Sequence, residues 1–124
     1  MDKEQYVTYE TARLLKKKGF DWEVNGYFCS DVDNPSRIEW STKDYNSHKF
    51  HVSAPTQQMA CRWLMEEKHI FIGKSFIKNE ETLNLEFYSP IFNMDTCELI
   101  TTIGAFCPED AVEAALEYTL RNLI

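Results

Sequence analysis

Apolar residues change their spacing several times along the chain, and each change marks a predicted element. Ala12, Leu14 and Leu15 share one face of a helix predicted over residues 8–18, and Gly19 supplies a left-handed stop. The next stretch, FDWEVNGYFCS, is rich in aromatics and reads as short strands around Asn25-Gly26. That dipeptide signals a hairpin turn, with a bulge as the alternative. DVDNPS is a loop by composition, RIEWS a short strand, and TKDYNSHKFH a polar connection or weak strand.

The stretch SAPTQQMACRWLMEEKHIFI contains a change of period. Pro55 suits the first turn of a helix, where its missing N–H costs nothing, and Ser53 is the expected cap. Met59, Ala60, Trp63 and Leu64 recur on one helical face, opposite Gln57, Gln58, Arg62, Glu66 and Glu67. After Lys68 the period drops to two: Ile70 and Ile72 alternate with His69, Phe71 and Gly73, as in a strand with both faces partly apolar. IKNEET reads as a turn. Leu83, Leu85 and Phe87 then alternate with Asn84, Glu86 and Tyr88, a half-buried strand that Pro90 is expected to end. IFNMD leads to CELITTI, whose β-branched content suits another strand. From Pro108 onward, Val112, Ala115, Leu116, Thr119 and Leu123 form one helical stripe, with Glu109 and Asp110 at its positive end.

The order, roughly α-β(β)-α-β-β-β-α, predicts an α+β fold: an antiparallel sheet with helices packed on one face. No repeat, linker or low-complexity segment interrupts it, so residues 1–124 read as one domain. Composition agrees. Apolar residues make up 44% and aromatics 14%, enough for a core and incompatible with a mainly disordered chain.

Charge narrows the function. Twenty acidic against thirteen basic residues leave a net charge of −7, which disfavours direct binding to nucleic-acid phosphates. The basic run Lys16-Lys17-Lys18 sits where a helix ends and complements its dipole. MDKEQYVTYE is charged and polar where a signal segment is apolar, and no run approaches the ~18 residues of a membrane span. A cytoplasmic protein without membrane attachment is the expectation. Its cysteines, Cys29, Cys61, Cys97 and Cys107, form no C-x-x-C pair and are expected as free thiols.

Catalytic spacing is hard to find. Cys107 precedes a helix whose dipole would lower its pKa, but Glu109 and Asp110 would raise it again. Cys61 falls mid-helix. Glu66-Glu67-Lys68 ends a helix rather than riding a strand, and Gly73-Lys74-Ser75 lacks the upstream glycine of a phosphate loop. The chain therefore leans away from enzymes, and no cofactor is expected. A metal or small-ligand site is the alternative: His48 and His51, with Cys29 or Asp44, are the nearest set of donors. In a strand, residues three apart point to opposite faces, which works against the pair.

Seventeen aromatic rings exceed what so small a core must claim. Tyr27, Phe28, Trp40, Tyr45, Phe50 and Tyr88 fall on predicted short strands or loops. Exposed Tyr and Trp suit a partner-binding surface, for which Tyr27, Trp40, Tyr45 and Phe50 are the candidates. A second core layer or a dimer interface is the alternative. Three stretches, YVTYETARLLKKKGFDWEVNGYF, SAPTQQMACRWLMEEKHIFI and EDAVEAALEYTLRNLI, resemble small proteins encoded by bacteriophages and mobile elements of Bacteroides and relatives. The resemblance carries no catalytic or binding residues with it. It implies an accessory protein acting inside a bacterial host. A non-enzymatic protein that binds an unidentified protein partner is the leading expectation, and a homo-oligomer pairing sheet edges is a further one.

Overall fold

The computed structural model describes residues 5–29, 37–47 and 49–124. Among them the chain runs α1 (Tyr9–Lys17), β1 (Val24–Cys29), β2 (Ile38–Lys43), β3 (His51–Ser53), α2 (Gln57–Lys68), β4 (Ile70–Ile72), β5 (Ser75–Lys78), β6 (Leu85–Asn93), β7 (Glu98–Ala105) and α3 (Pro108–Asn122). All strand pairs are antiparallel, and the fold is α+β. The strands form two sheets rather than the one expected. The chain divides into two compact units, Met1–Ala60 and Cys61–Ile124, and α2 begins in the first and ends in the second.

In the first unit, α1 is capped at both ends by short-range chemistry. Thr8 Oγ1 accepts from the Thr11 N–H at 3.3 Å. At the other end Gly19 adopts φ 96°, and the N–H groups of Gly19 and Phe20 donate to the carbonyls of Lys16 and Leu15. That closure needs a left-handed residue, which is why glycine stands there. The sheet order is β2-β1-β3. Asn25-Gly26 lies inside β1, and the register to β2 shifts between Val24 and Gly26: the dipeptide is the bulge, not the hairpin turn. A Cβ on Gly26 would stand 2.7 Å from Ile38 Cγ2 and 3.0 Å from Trp40 Cε3, so only glycine lets β2 pass so near. Leu15, Phe20, Val24, Phe28 and Val52 are buried and make up much of this unit's core.

The polar stretch after β2 ends at His51, the first residue of β3. Asn46 organises it, donating from Nδ2 to the Phe20 carbonyl at 2.7 Å and accepting the Ser53 N–H on Oδ1 at 2.9 Å. Ser53 belongs to this strand, where its hydroxyl accepts from the Tyr45 N–H. The cap of α2 is instead Thr56, whose Oγ1 accepts from the Met59 N–H at 3.1 Å and whose carbonyl accepts from Ala60.

The second unit is a sheet with β6 at its centre. β4 and β5 pair with successive halves of one edge of β6, and β7 takes the other edge. Pro90 does not end β6 but sits in the middle of it. The reason is local: β4 and β5 are interrupted at Gly73-Lys74, opposite Pro90, so the missing N–H faces a gap in the ladder. The Gly73 N–H still donates to the Pro90 carbonyl at 2.9 Å. β5 lies partly in the predicted turn. The actual turn is tighter, closed by the Asn79 side chain accepting from the Glu81 and Thr82 N–H groups.

Helix α3 packs on the sheet face that carries Ile70, Ile72, Ser89 and Ile91, all buried. Its own buried stripe is Ala111, Val112, Ala115, Leu116, Thr119 and Leu120. Leu120 joins the stripe, whereas the expected Leu123 lies past the last helical residue, at the C-cap, and is only half-buried. No helix among the described residues is long and apolar enough to cross a membrane.

Candidate functional site

The four aromatics expected at a partner surface divide. Trp40 stands 62% exposed on β2, with its ring edge-on to Tyr6 at 5.1 Å. Phe50 is exposed, with the Lys49 ammonium 5.3 Å from its ring. Tyr45, by contrast, is only 4% exposed. Its ring stacks on Tyr27 at 4.0 Å, and Tyr27 is half-buried in turn. Tyr45 thus belongs to packing rather than to a contact surface. The predicted polar loop folds back so that Asn46 and Ser53 hold Tyr45 inward, a tertiary effect that composition does not carry.

The alternative donor set is also only partly brought together. Cys29 and His51 are direct cross-strand partners of β1 and β3, and the His51 ring leans on Tyr27 and Tyr45. Asp44 turns away to accept from the Asn46 N–H at 2.9 Å. His48 lies outside the described residues. Among the described residues no three His, Cys, Asp or Glu side chains converge as a metal site would require.

The cysteine readings resolve in the same direction. Burial pushes the Cys61 thiol up to about 12, against a downward pull from Lys74. Such a thiol is protonated at neutral pH and is no nucleophile. At Cys107 a backbone hydrogen bond from Asp110 lowers the pKa. The side chains of Asp110 and Glu109 together with desolvation outweigh it, and the net shift is upward. The dipole of α3 does not activate this sulfur.

Apolar exposure concentrates instead in the second unit, at the bare end of its sheet. Register places Phe76, Phe87 and Ala105 side by side on the face that α3 covers further along, and Leu85 continues that row. The helix protects Ser89 and Ile91 but stops short of Leu85 and Phe76, which stand 51% and 65% exposed. Phe106, between β7 and α3, is 99% exposed. Leu85, Phe87, Ala105 and Phe106 line a groove of about 350 Å³ whose polar side is Glu86 and Tyr88. Glu86 accepts from Asn79 Nδ2 at 3.0 Å and from the Tyr88 hydroxyl at 2.9 Å. These two bonds hold its pKa below the usual carboxylate value, so the groove keeps a negative charge at neutral pH.

Comparison with protein-family models, with curated proteins and with solved structures returned no match to this chain. The chemistry of the surface is therefore the guide to its use, and its charge is distinctive. Cys61–Ile124 carries eleven carboxylates against five lysines and arginines, a net charge of −6. Met1–Ala60 carries nine against eight. Nearly all of the chain's net negative charge belongs to the unit that also presents the bare apolar sheet.

The groove was outlined by the alternation of Leu83, Leu85 and Phe87, a pattern that announced an apolar face without saying whether anything covered it. Phe106 had no such signal. It follows the strand and precedes the helix, and only the placement of α3 leaves it uncovered.

Proposed function

We propose that this protein is a non-enzymatic protein-binding domain whose contact surface is the uncovered end of the second unit's sheet. One observation carries the reading: Phe106 and Leu85 line one groove, Phe76 pairs across the strand with Phe87 in its wall, and all three large apolar side chains are at least half exposed. Contiguous apolar exposure of this kind costs solubility and is characteristic of interaction surfaces. Large aromatic anchors supply most of the energy of such contacts. Support also comes from the thiols that burial or neighbouring carboxylates hold protonated. The setting we propose, an accessory protein of a bacteriophage or mobile element inside a bacterial host, is supported by the resemblance of the three sequence stretches alone. Trp40 and Phe50 offer the first unit a smaller apolar surface for the same purpose.

The test is a photo-crosslinking residue at position 106 in the full chain, expressed in a bacterial host and irradiated there. A discrete adduct with another protein, lost when Phe76 and Leu85 are both changed to Asp, is the expected outcome. Adducts only with a second copy of the chain would favour self-assembly instead. No protein adduct from position 106 would sink the reading.

A further inference from the structure

β7 pairs with β6 along one edge and with no other strand among the described residues. Its outward edge can be read from the register. Pro90 has no N–H, and its carbonyl is used toward β4 by Gly73. The Pro90–Thr102 pair consequently exchanges no backbone hydrogen bonds, and the N–H and C=O of Thr102 point away from β6. Two residues on, Gly104 repeats this orientation, opposite a Tyr88 whose partner on the far side is Ser75. Ile100, Thr102 and Gly104 are all exposed.

An open edge normally carries deterrents such as lysine, proline or an inward charge. Between Leu99 and Ala105, where the sequence is LITTIGA, β7 carries no lysine, proline or charge. Its one irregularity is a register shift at Ile100, and the stretch from Thr101 to Ala105 pairs without a break. Its free edge leads directly to the apolar groove, since Gly104, Ala105 and Phe106 belong to both. Carboxylates mark the two ends: Asp95 before the strand and Glu98 at its first residue, Glu109 and Asp110 after it. A second copy of the chain would bring a unit of net charge −6 against another of −6. A basic strand would meet complementary charge at both ends.

We infer that β7 is a β-augmentation site for an extended segment of another protein. That segment would alternate apolar residues with lysine or arginine and place an apolar side chain in the Phe106 groove. Backbone bonds to Thr102 and Gly104 give affinity, the groove reads one side chain, and the acidic ends select a basic segment. At about 3.3 Å per residue, the eight residues of β7 span roughly 26 Å and match a segment of similar length. The inference rests on the protein-binding reading and names its partner's chemistry.

The probe is a labelled ten-residue peptide alternating valine and lysine, titrated into the full chain at low salt, beside a valine–glutamate peptide of equal length. The lysine peptide is expected to bind at least tenfold more tightly. It should also slow hydrogen exchange at the Thr102 and Gly104 amides at least tenfold. Thr102→Pro removes one outward N–H and leaves the β6 ladder intact, so it should cost at least tenfold in affinity with an unchanged thermal midpoint. If that variant fails to fold, the exchange rates of the two amides in the unaltered chain decide the matter. Equal binding of both peptides, unchanged exchange, or full affinity in a folded Thr102→Pro overturns the inference. So does protection of those amides by dimerisation without peptide. If the peptide fails while position 106 still crosslinks to another protein, the edge site falls and the protein-binding reading stands.

Discussion

Two cases show how burial sets chemistry at the scale of single residues. The Cys61 thiol, pushed from an ordinary value near 9 up to about 12, binds its proton more tightly folded than unfolded. Its contribution to stability is therefore complete below pH 9 and is lost as pH rises from 9 toward 12. Denaturant midpoints between pH 8 and 10.5 should fall more steeply in the wild type than in Cys61→Ala. Parallel slopes would show that this thiol does not titrate differently on folding. The hydroxyls of Ser89 and Thr119 are the second case, buried in the second unit with no hydrogen-bond partner among the described residues. Each is desolvated without compensation, so Thr119→Val is expected to be neutral or stabilising by ~1 kcal/mol in chemical denaturation. A loss of 2 kcal/mol or more would mean that the hydroxyl is satisfied in solution.

Elements are closed by a small repertoire of turns, and two of them are near copies. Asn79 accepts from the N–H groups of Glu81 and Thr82, with Leu83 following at φ 63°. Asn93 accepts from those of Asp95 and Thr96, with Cys97 following at φ 60°. The underlying sequences, NEETLN and NMDTCE, share the asparagine, an acid two positions on and a threonine three on. In both, Leu83 and Cys97 occupy the left-handed region without glycine's freedom. Leu83→Gly and Cys97→Gly should each raise stability by up to ~1 kcal/mol, visible as higher thermal midpoints. The reverse change is Gly19→Ala. No atom lies within 4 Å of the added methyl, so its cost is backbone strain alone, about 1 kcal/mol in the same assay.

The whole molecule is acidic, with a calculated isoelectric point near 4.9, and that charge is concentrated where apolar side chains are exposed. Mutual repulsion opposes association of copies at neutral pH. As pH falls toward 4.9 that repulsion fades, while Phe106 and Phe76 remain uncovered. Light scattering between pH 8 and 4.5 should show association rising steeply near the isoelectric point, and Phe106→Asp should reduce it. Association that is independent of both pH and Phe106 would point to another surface.

How much of this was legible in the sequence depends on the range of the interactions involved. The helices were, because periodicity and capping act within a few residues: Gly19 stops α1, and the apolar stripe of α3 is local. Class and approximate element order follow from the same short-range rules. The two sheets were not, since pairing joins residues far apart in the chain. Pro90 reads as a strand end until its neighbours are known to be interrupted beside it, and Asn25-Gly26 as a turn until β2 lies against it. For the site, Leu85 and Phe87 announce an apolar face, but an apolar residue looks the same in sequence whether covered or bare. Tertiary packing alone buried Tyr45 beneath its own loop and left Phe106 in water, because coverage depends on where a distant helix comes to rest.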